Sequence, residues 1–330
     1  MMVPGYEFRS GEKPFATLGR IVAENMNATA VHLRDRSVNA SDRVHETRKR
    51  FKEIRALLRL FHEPLGDQFA IENRWYRDAG RALAGYRDVD AVIASISNLS
   101  PKVREQVGSA MVRKLRRVTQ QKRREVYRDR EAAEERLEGI AAQLPIAAAR
   151  VNNLSPAAFK GFASIEDGLV RTLRDGKRAM RAAWKSRDAA AFHEWRKRVK
   201  DHWYHVQLLH SLWPDQLAVR EKVLNDLSHI LGEHHDLEVI RNIVAGASDT
   251  FTASGAKKID RALVARQRRL EQKAKSVGEK IYSGRPAAFA REMAQQWKRW
   301  RYSPSPSLRR IRGERSQSRT AVPSLRRRTP

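Results

Sequence analysis

Apolar residues recur along this chain at the period of a helix. Val44, Phe51, Ile54, Leu58 and Phe61 form one stripe, and Phe192, Val199, Val206 and Leu209 form another. No convincing run alternates apolar and polar residues as a strand would, so the chain reads as all-α. Pro64 and Pro214 follow the two striped segments, and Pro101, Pro145 and Pro156 fall near later boundaries. Proline is expected there because it ends a helix or opens its first turn. Ser100-Pro101 and Ser155-Pro156 each read as an N-cap followed by a first-turn proline. The pattern predicts helices near 13–34, 42–62, 66–96, 101–141, 156–186, 189–211, 215–246 and 255–282, four per half. A further short helix is predicted over 287–302.

The polar positions repeat as well. His45-Glu46-Thr47-Arg48-Lys49-Arg50-Phe51-Lys52 recurs as His193-Glu194-Trp195-Arg196-Lys197-Arg198-Val199-Lys200, an offset of 148 residues from His45 to His193. Arg87-Asp88 lies over His235-Asp236 at the same offset. Arg116-Arg117 and Arg268-Arg269 pair the last helices of each half more loosely, at 152. Two motifs at one offset imply an internal duplication. The halves are expected at about 10–145 and 150–285 of a helical domain spanning 10–302, after an N-terminal segment at 1–9. The two halves should be related by a pseudo-twofold.

Charge changes the picture from a helical bundle to a binder of anions. The 330 residues carry a formal charge of +28, with a pI near 11.0. Such an excess repels itself in a compact state and favours a polyanion: nucleic acid, an anionic membrane surface or inorganic polyphosphate. Residues 303–330 hold eight arginines, one glutamate and almost no apolar content, and read as a disordered basic tail. That leaves +21 on residues 1–302, so the basicity belongs to the folded body. Cysteine is absent, which excludes thiol catalysis and thiolate metal sites and fits a reducing cytoplasm. The N-terminus lacks the pattern of a signal peptide, and no apolar run is long enough for a membrane span, so no membrane insertion is expected.

His45, Arg48, Lys49, Lys52 and Arg55 share one face of a helix over roughly 15 Å at 1.5 Å per residue. The second copy presents His193, Arg196, Lys197, Lys200 and Tyr204, with Trp203 standing where the first has Arg55. A single basic stripe is ordinarily a solvated face. Its repetition with the same His, Arg, Lys and Lys positions points instead to a row that holds an extended anion. The two rows are expected to face one another across a shared groove.

The chain resembles the CHAD family, the conserved-histidine α-helical domain. In the first half the resemblance rests on Val44 to Lys49, Arg55 to Phe61, Asn73, Arg77-Asp78-Ala79-Gly80-Arg81 and Arg87-Asp88. In the second it rests on Arg171 to Met180, Phe192 to Lys197 and Tyr204. It spans about residues 10–285. It implies an internally duplicated bundle around a basic groove or pore that binds inorganic polyphosphate, in some members on polyphosphate granules. The chain resembles a stand-alone member, because the Glu-x-Glu-x-Lys signature of the CYTH triphosphatase domain often attached to it is not found. Carried over by residue, the resemblance points to both rows. Arg174, Lys177 and Arg178 form a further basic row, and Arg77 and Arg81 contribute from the third helix. Trp203 departs from the arginine common at its place.

Asp88 and Asp236 would oppose an anion inside a groove, so each is expected to pair with a cation or cap a turn, and Glu46 and Glu194 to screen neighbouring cations. His229, His234 and His235 match no strong zinc spacing, and neither metal nor cofactor is expected. A P-loop, a carboxylate cluster and a nucleophile–base pair are all missing from the sequence, so the chain is expected not to be an enzyme. The alternatives are a basic helical protein binding nucleic acid non-specifically, although no helix-turn-helix, zinc-finger or aromatic RNA-binding motif stands out, and, in third place, a phosphohydrolase.

Overall fold

The computed structural model describes residues 5–126, 128, 130–247 and 249–302, and of residues 84–88, 130 and 302 the backbone alone. The tail at 303–330 lies outside the described residues. Among the described residues there are thirteen α-helices and no strand. They are α1 (Pro14–Arg34), α2 (Ala40–Leu60), α3 (His62–Leu65), α4 (Asp67–Ala82), α5 (Ala84–Ser97), α6 (Pro101–Val107) and α7 (Ser109–Val126). There follow α8 (Arg130–Asn152), α9 (Ala163–Ser186), α10 (Ala189–Leu208), α11 (Pro214–Ala245), α12 (Ala253–Tyr282) and α13 (Pro286–Tyr302).

The helix carrying the first row begins where the sequence supplies a cap: the Asn39 side chain accepts from the Asp42 amide at 2.9 Å. The apolar stripe of this helix is interior, with Val44, Ile54 and Leu58 at 0% exposure and Phe51 at 2%. α10 repeats this, burying Phe192, Val199 and Val206. α2 and α10 pack against each other, and α9 packs on both. Gly168 of α9 makes this closeness attainable, since a β-carbon there would lie 2.0 Å from the Leu60 carbonyl oxygen. α4 and α5 flank α2, α11 flanks α10, and α1 is sandwiched by α2 and α8.

Helix ends recur near the spacing of the sequence repeat. Ala40 and Ala189, which open α2 and α10, are 149 apart; Leu60 and Leu208, which close them, are 148 apart. Ser97 and Ala245, which end α5 and α11, are 148 apart.

Several expected elements are divided or moved. The helix expected at 66–96 is interrupted by Leu83, whose φ of −94° and ψ of 1° leave the helical region. The one expected at 101–141 is broken at Gly108, whose φ of +90° is open to glycine and strained for other residues. Pro145 is no boundary, and the link expected at 145–150 is not a loop. It lies inside α8, where Ala141, Leu144 and Ala147 are fully buried, and packing on α1 outweighs the lost backbone bond. Ser155 caps only a 3-10 turn at Pro156–Ala158, so α9 starts at Ala163 and not at 156, and Ser100 makes no side-chain cap at all. Residues before 10 belong to the body: Phe8 is 1% exposed, donates its amide to the Leu208 carbonyl at 3.3 Å and meets Trp297 of α13 edge-on at 5.1 Å. No helix among the described residues is long and apolar enough to cross a membrane.

Candidate anion-binding site

The two cation rows come together where α2 crosses α10. The crossing is tied by the His205 ring Nε2, 2.7 Å from the Ala56 carbonyl oxygen, and by Arg59, which reaches from α2 to Asp201 of α10 at 3.3 Å. Lys200 of the second row stands at this junction. Burial pulls its ammonium down to about 8, and Arg196, Lys52 and Lys49 push it the same way. Two of those three cations belong to the opposite row. Cations from both helices therefore share one field at Lys200, with repulsion between them that an anion would relieve.

The ring of Trp203 lies 3.9 Å from Lys200 Nζ, and that of Tyr204 lies 5.5 Å away. The tryptophan that replaces Arg55 thus offers the crowded lysine a π face in place of a further charge. Tyr204 is 2% exposed and forms part of the packing beneath the row. Arg55 is pushed down to about 10 by burial and by Arg59, and it donates from Nε to Asn73 Oδ1 at 3.0 Å.

The glutamates of the motif behave alike in both copies. Glu46 pairs with Lys49 at 3.5 Å and Arg50 at 3.4 Å; Glu194 pairs with Lys197 and, at 2.5 Å, with Arg198. The histidines differ. His45 is exposed, whereas His193 is half-buried, stacks on His235 at 4.3 Å and is pushed down to about 4 by burial, then by His235 and Lys197. At that value His193 is neutral at pH 7.

Of the added cations, Arg77 is brought near Arg55 and is held by Asp78 at 2.8 Å. Arg81 is 72% exposed and lies 3.9 Å from the same carboxylate. Arg178 is paired with Asp175 at 2.7 Å, and Arg174 is exposed. Lys177 lies elsewhere, lining a cavity with residues of α11, α12 and α13. Asp236 is half-buried and partnered, while the side chain of Asp88 lies outside the described residues. His234 is not grouped with His235 for a metal; it is buried, stacks on Phe192 at 4.6 Å and lies 3.4 Å from Glu271. Among the described residues no cluster of three or more His, Asp or Glu side chains is arranged to hold a metal ion.

Two carboxylates at the crossing escaped the sequence reading. Glu53 is 2% exposed and its Oε2 has no hydrogen-bond partner; burial pushes it up to about 7 despite Lys49 and Arg50 nearby. Asp201, 148 residues on, bonds Arg59 and Arg198, each at 3.3 Å. An acid directly after the last lysine of both motifs was the signal available for them.

A sequence model of the CHAD domain matches residues 20–245, more than half of the chain. The chain belongs to the CHAD family. Its fold is similar to the crystal structure of the CHAD domain from the plant Ricinus communis, at a TM-score of 0.50 and 19% identity. That similarity covers 82% of this chain and 91% of the plant domain, and at this identity it bears on the fold alone. The comparison with curated proteins finds no match. The CHAD match ends with α11 and includes both rows, α2 and α10.

Proposed function

We propose that this CHAD protein binds long-chain inorganic polyphosphate along the α2 and α10 rows without cleaving it. The observation that carries the reading is Lys200, half-buried among Arg196, Lys52 and Lys49 where the two helices meet. A single phosphate neutralises one part of such a double row, whereas a flexible polyanion can follow both. Arginine forks and lysine ammonium groups supply charge-assisted donors to successive phosphates. The duplicated motif gives each half one such row, and the pair forms the basic groove. Neither motif supplies a recognisable nucleophile–base pair in the sequence, so binding rather than hydrolysis is proposed. In the cell, the protein would be cytoplasmic and collect on polyphosphate granules.

Calorimetry of the full chain against long polyphosphate across a salt series tests this. Affinity should fall steeply with salt, because each neutralised phosphate releases counterions. Orthophosphate binding as tightly as the long chain, and lost in Lys49→Ala with Lys52→Ala, would sink the proposal.

One observation favours a second reading. α7 exposes Arg113, Lys114, Arg116, Arg117, Lys122 and Arg124 on its outer face, a general attractor of nucleic acid. Competition between polyphosphate and DNA at equal phosphate content separates the two, since a specific groove should prefer polyphosphate.

A further inference from the structure

A second cluster of cations lies on the other side of α10. Lys200 faces the rows. His202 is about 200° further round the helix, fully buried on the side of α11. Arg220 of α11 donates from Nε to His202 Nε2 at 3.1 Å and from Nη2 to the Ile281 carbonyl at 3.3 Å, and it stacks over Phe289 at 4.3 Å. The guanidinium is thus fixed by three neighbours, none of them a carboxylate, and its Nη1 donates to no described residue. It lines a cavity of about 240 Å³ bounded by α9, α11, the end of α12 and the start of α13.

Lys177, Lys280 and Arg285 line the same cavity, and Glu292 is the carboxylate among its lining residues. Among the described residues no ion pair joins any of the four cations to an acid. Arg220 is held below its ordinary pKa by burial, although Tyr282 and Glu292 oppose the shift. Four cations held around a small concavity with one opposing acid make an incomplete electrostatic arrangement.

The geometry points to a compact anion site here: one free phosphate-type oxyanion, held by Arg220 Nη1 and by Lys177, Lys280 and Arg285. At about 240 Å³, and walled by α9, α11, the α12 end and the start of α13, the cavity suits an orthophosphate or pyrophosphate rather than an extended chain. The site does not depend on the rows, and its failure would leave the polyphosphate proposal untouched.

Isothermal titration of the full chain with orthophosphate and with pyrophosphate, at constant ionic strength to fix screening, is the test. One saturable site per chain is expected. Arg220→Gln should weaken it at least tenfold. Since Arg220 also packs, the exposed pair Lys280→Gln with Arg285→Gln is the deciding variant: it should weaken the compact anion at least tenfold, yet bind long polyphosphate within twofold of the parent. Lys49→Ala with Lys52→Ala should leave the compact anion unchanged. The site is overturned if the parent shows no saturable binding, if the Lys280/Arg285 variant keeps parental affinity, or if the Lys49/Lys52 variant abolishes the signal.

Discussion

Glu53 and Asp201 occupy the same place in the two copies of the motif and meet opposite fates. Asp201 accepts from one arginine of each crossing helix, Arg59 and Arg198. Glu53, more deeply buried, has an orphaned Oε2 and is pushed up to about 7. Both acids lie beneath cations. What separates them is geometry: the aspartate is reached by guanidinium forks, while the glutamate is surrounded at longer range by Lys49, Arg50 and Lys200. A nearby positive charge without a direct bond does not offset the loss of water around a carboxylate. The same contrast runs through the rows, since His45 is exposed and His193 is enclosed. The two copies of the motif share residue types and differ in how each is solvated.

If both copies hold the anion in spite of that divergence, the largest effect comes from emptying both. Replacing Arg48, Lys49, Arg196 and Lys197 by Ala should weaken long polyphosphate by about a hundredfold or more, each charge-assisted bond being worth about 1.5–3 kcal/mol before neighbouring cations compensate. Deleting residues 303–330, which removes +7, should change affinity far less. Circular dichroism must show that Glu46 and Glu194 do not unfold their helices once their partners go. A tail deletion that abolishes binding while the four-site variant still binds would move the assignment to the nucleic-acid reading.

The acids give opposite signs. Between pH 4.5 and 7 the folded state keeps the Glu53 proton that the unfolded chain has released, so stability falls as pH rises through this window. Glu53→Gln removes that slope and should stabilise the protein at pH 8 by up to about 3 kcal/mol. Asp201→Asn should destabilise it by about 1–3 kcal/mol, because one of Arg59 and Arg198 loses its acceptor oxygen and both lose the opposite charge. Denaturant unfolding from pH 4 to 8 measures the variant-minus-parent difference, in which the buried histidines cancel. Two acids that destabilise alike on neutralisation would erase the distinction drawn between them.

How far this was legible in the sequence follows from the same residues. The stripes of α2 and α10 and the cation rows beside them could be read directly, because side-chain spacing along a helix is fixed by its period. The α8 path through Pro145 could not, since its cost is outweighed by Ala141, Leu144 and Ala147 packing on α1, a tertiary effect. The row members themselves were legible, but not their protonation. His193 reads the same as His45 until His235 and burial are added. Lys177 reads as part of a row with Arg174 and Arg178, yet adjacent helical positions diverge by about 100°, and it lines the α12–α13 cavity.

A smaller effect tests whether the rows share one field. Lys200 is pulled down to about 8, so at pH 8 a fraction of it is uncharged. A bound polyanion favours the charged form, and binding at that pH should take up as much as about half a proton per chain. Calorimetric enthalpies in buffers of differing ionisation heat report the uptake. It should shrink in Lys52→Ala, because a cation of the opposite row no longer depresses Lys200. Enthalpies independent of buffer would mean that Lys200 is not in contact with the anion's field.

The smallest effect concerns the one place where the rows differ in charge. Arg55 adds a cation to the first row; Trp203, at the matching place, adds a ring 3.9 Å from Lys200 Nζ. Such a contact is worth about 0.5–1 kcal/mol at an exposed site and about 2 kcal/mol when desolvated, so about 1–2 kcal/mol at the half-buried Trp203. Trp203→Leu should therefore lower stability by about that amount while changing long-chain affinity less than threefold, since the lysine itself remains. Trp203→Arg restores the first row's pattern and should act in the other direction on binding. It brings a further cation to Lys200, which raises the repulsion in the free protein and gives a polyanion one more donor. Its affinity should exceed that of Trp203→Leu, with a steeper salt dependence because one more phosphate is neutralised. Salt-series calorimetry of the two variants reads this directly. Trp203→Leu losing as much affinity as the four-site variant would instead make the indole a contact of the chain, and the second row would then hold its anion by packing as well as by charge.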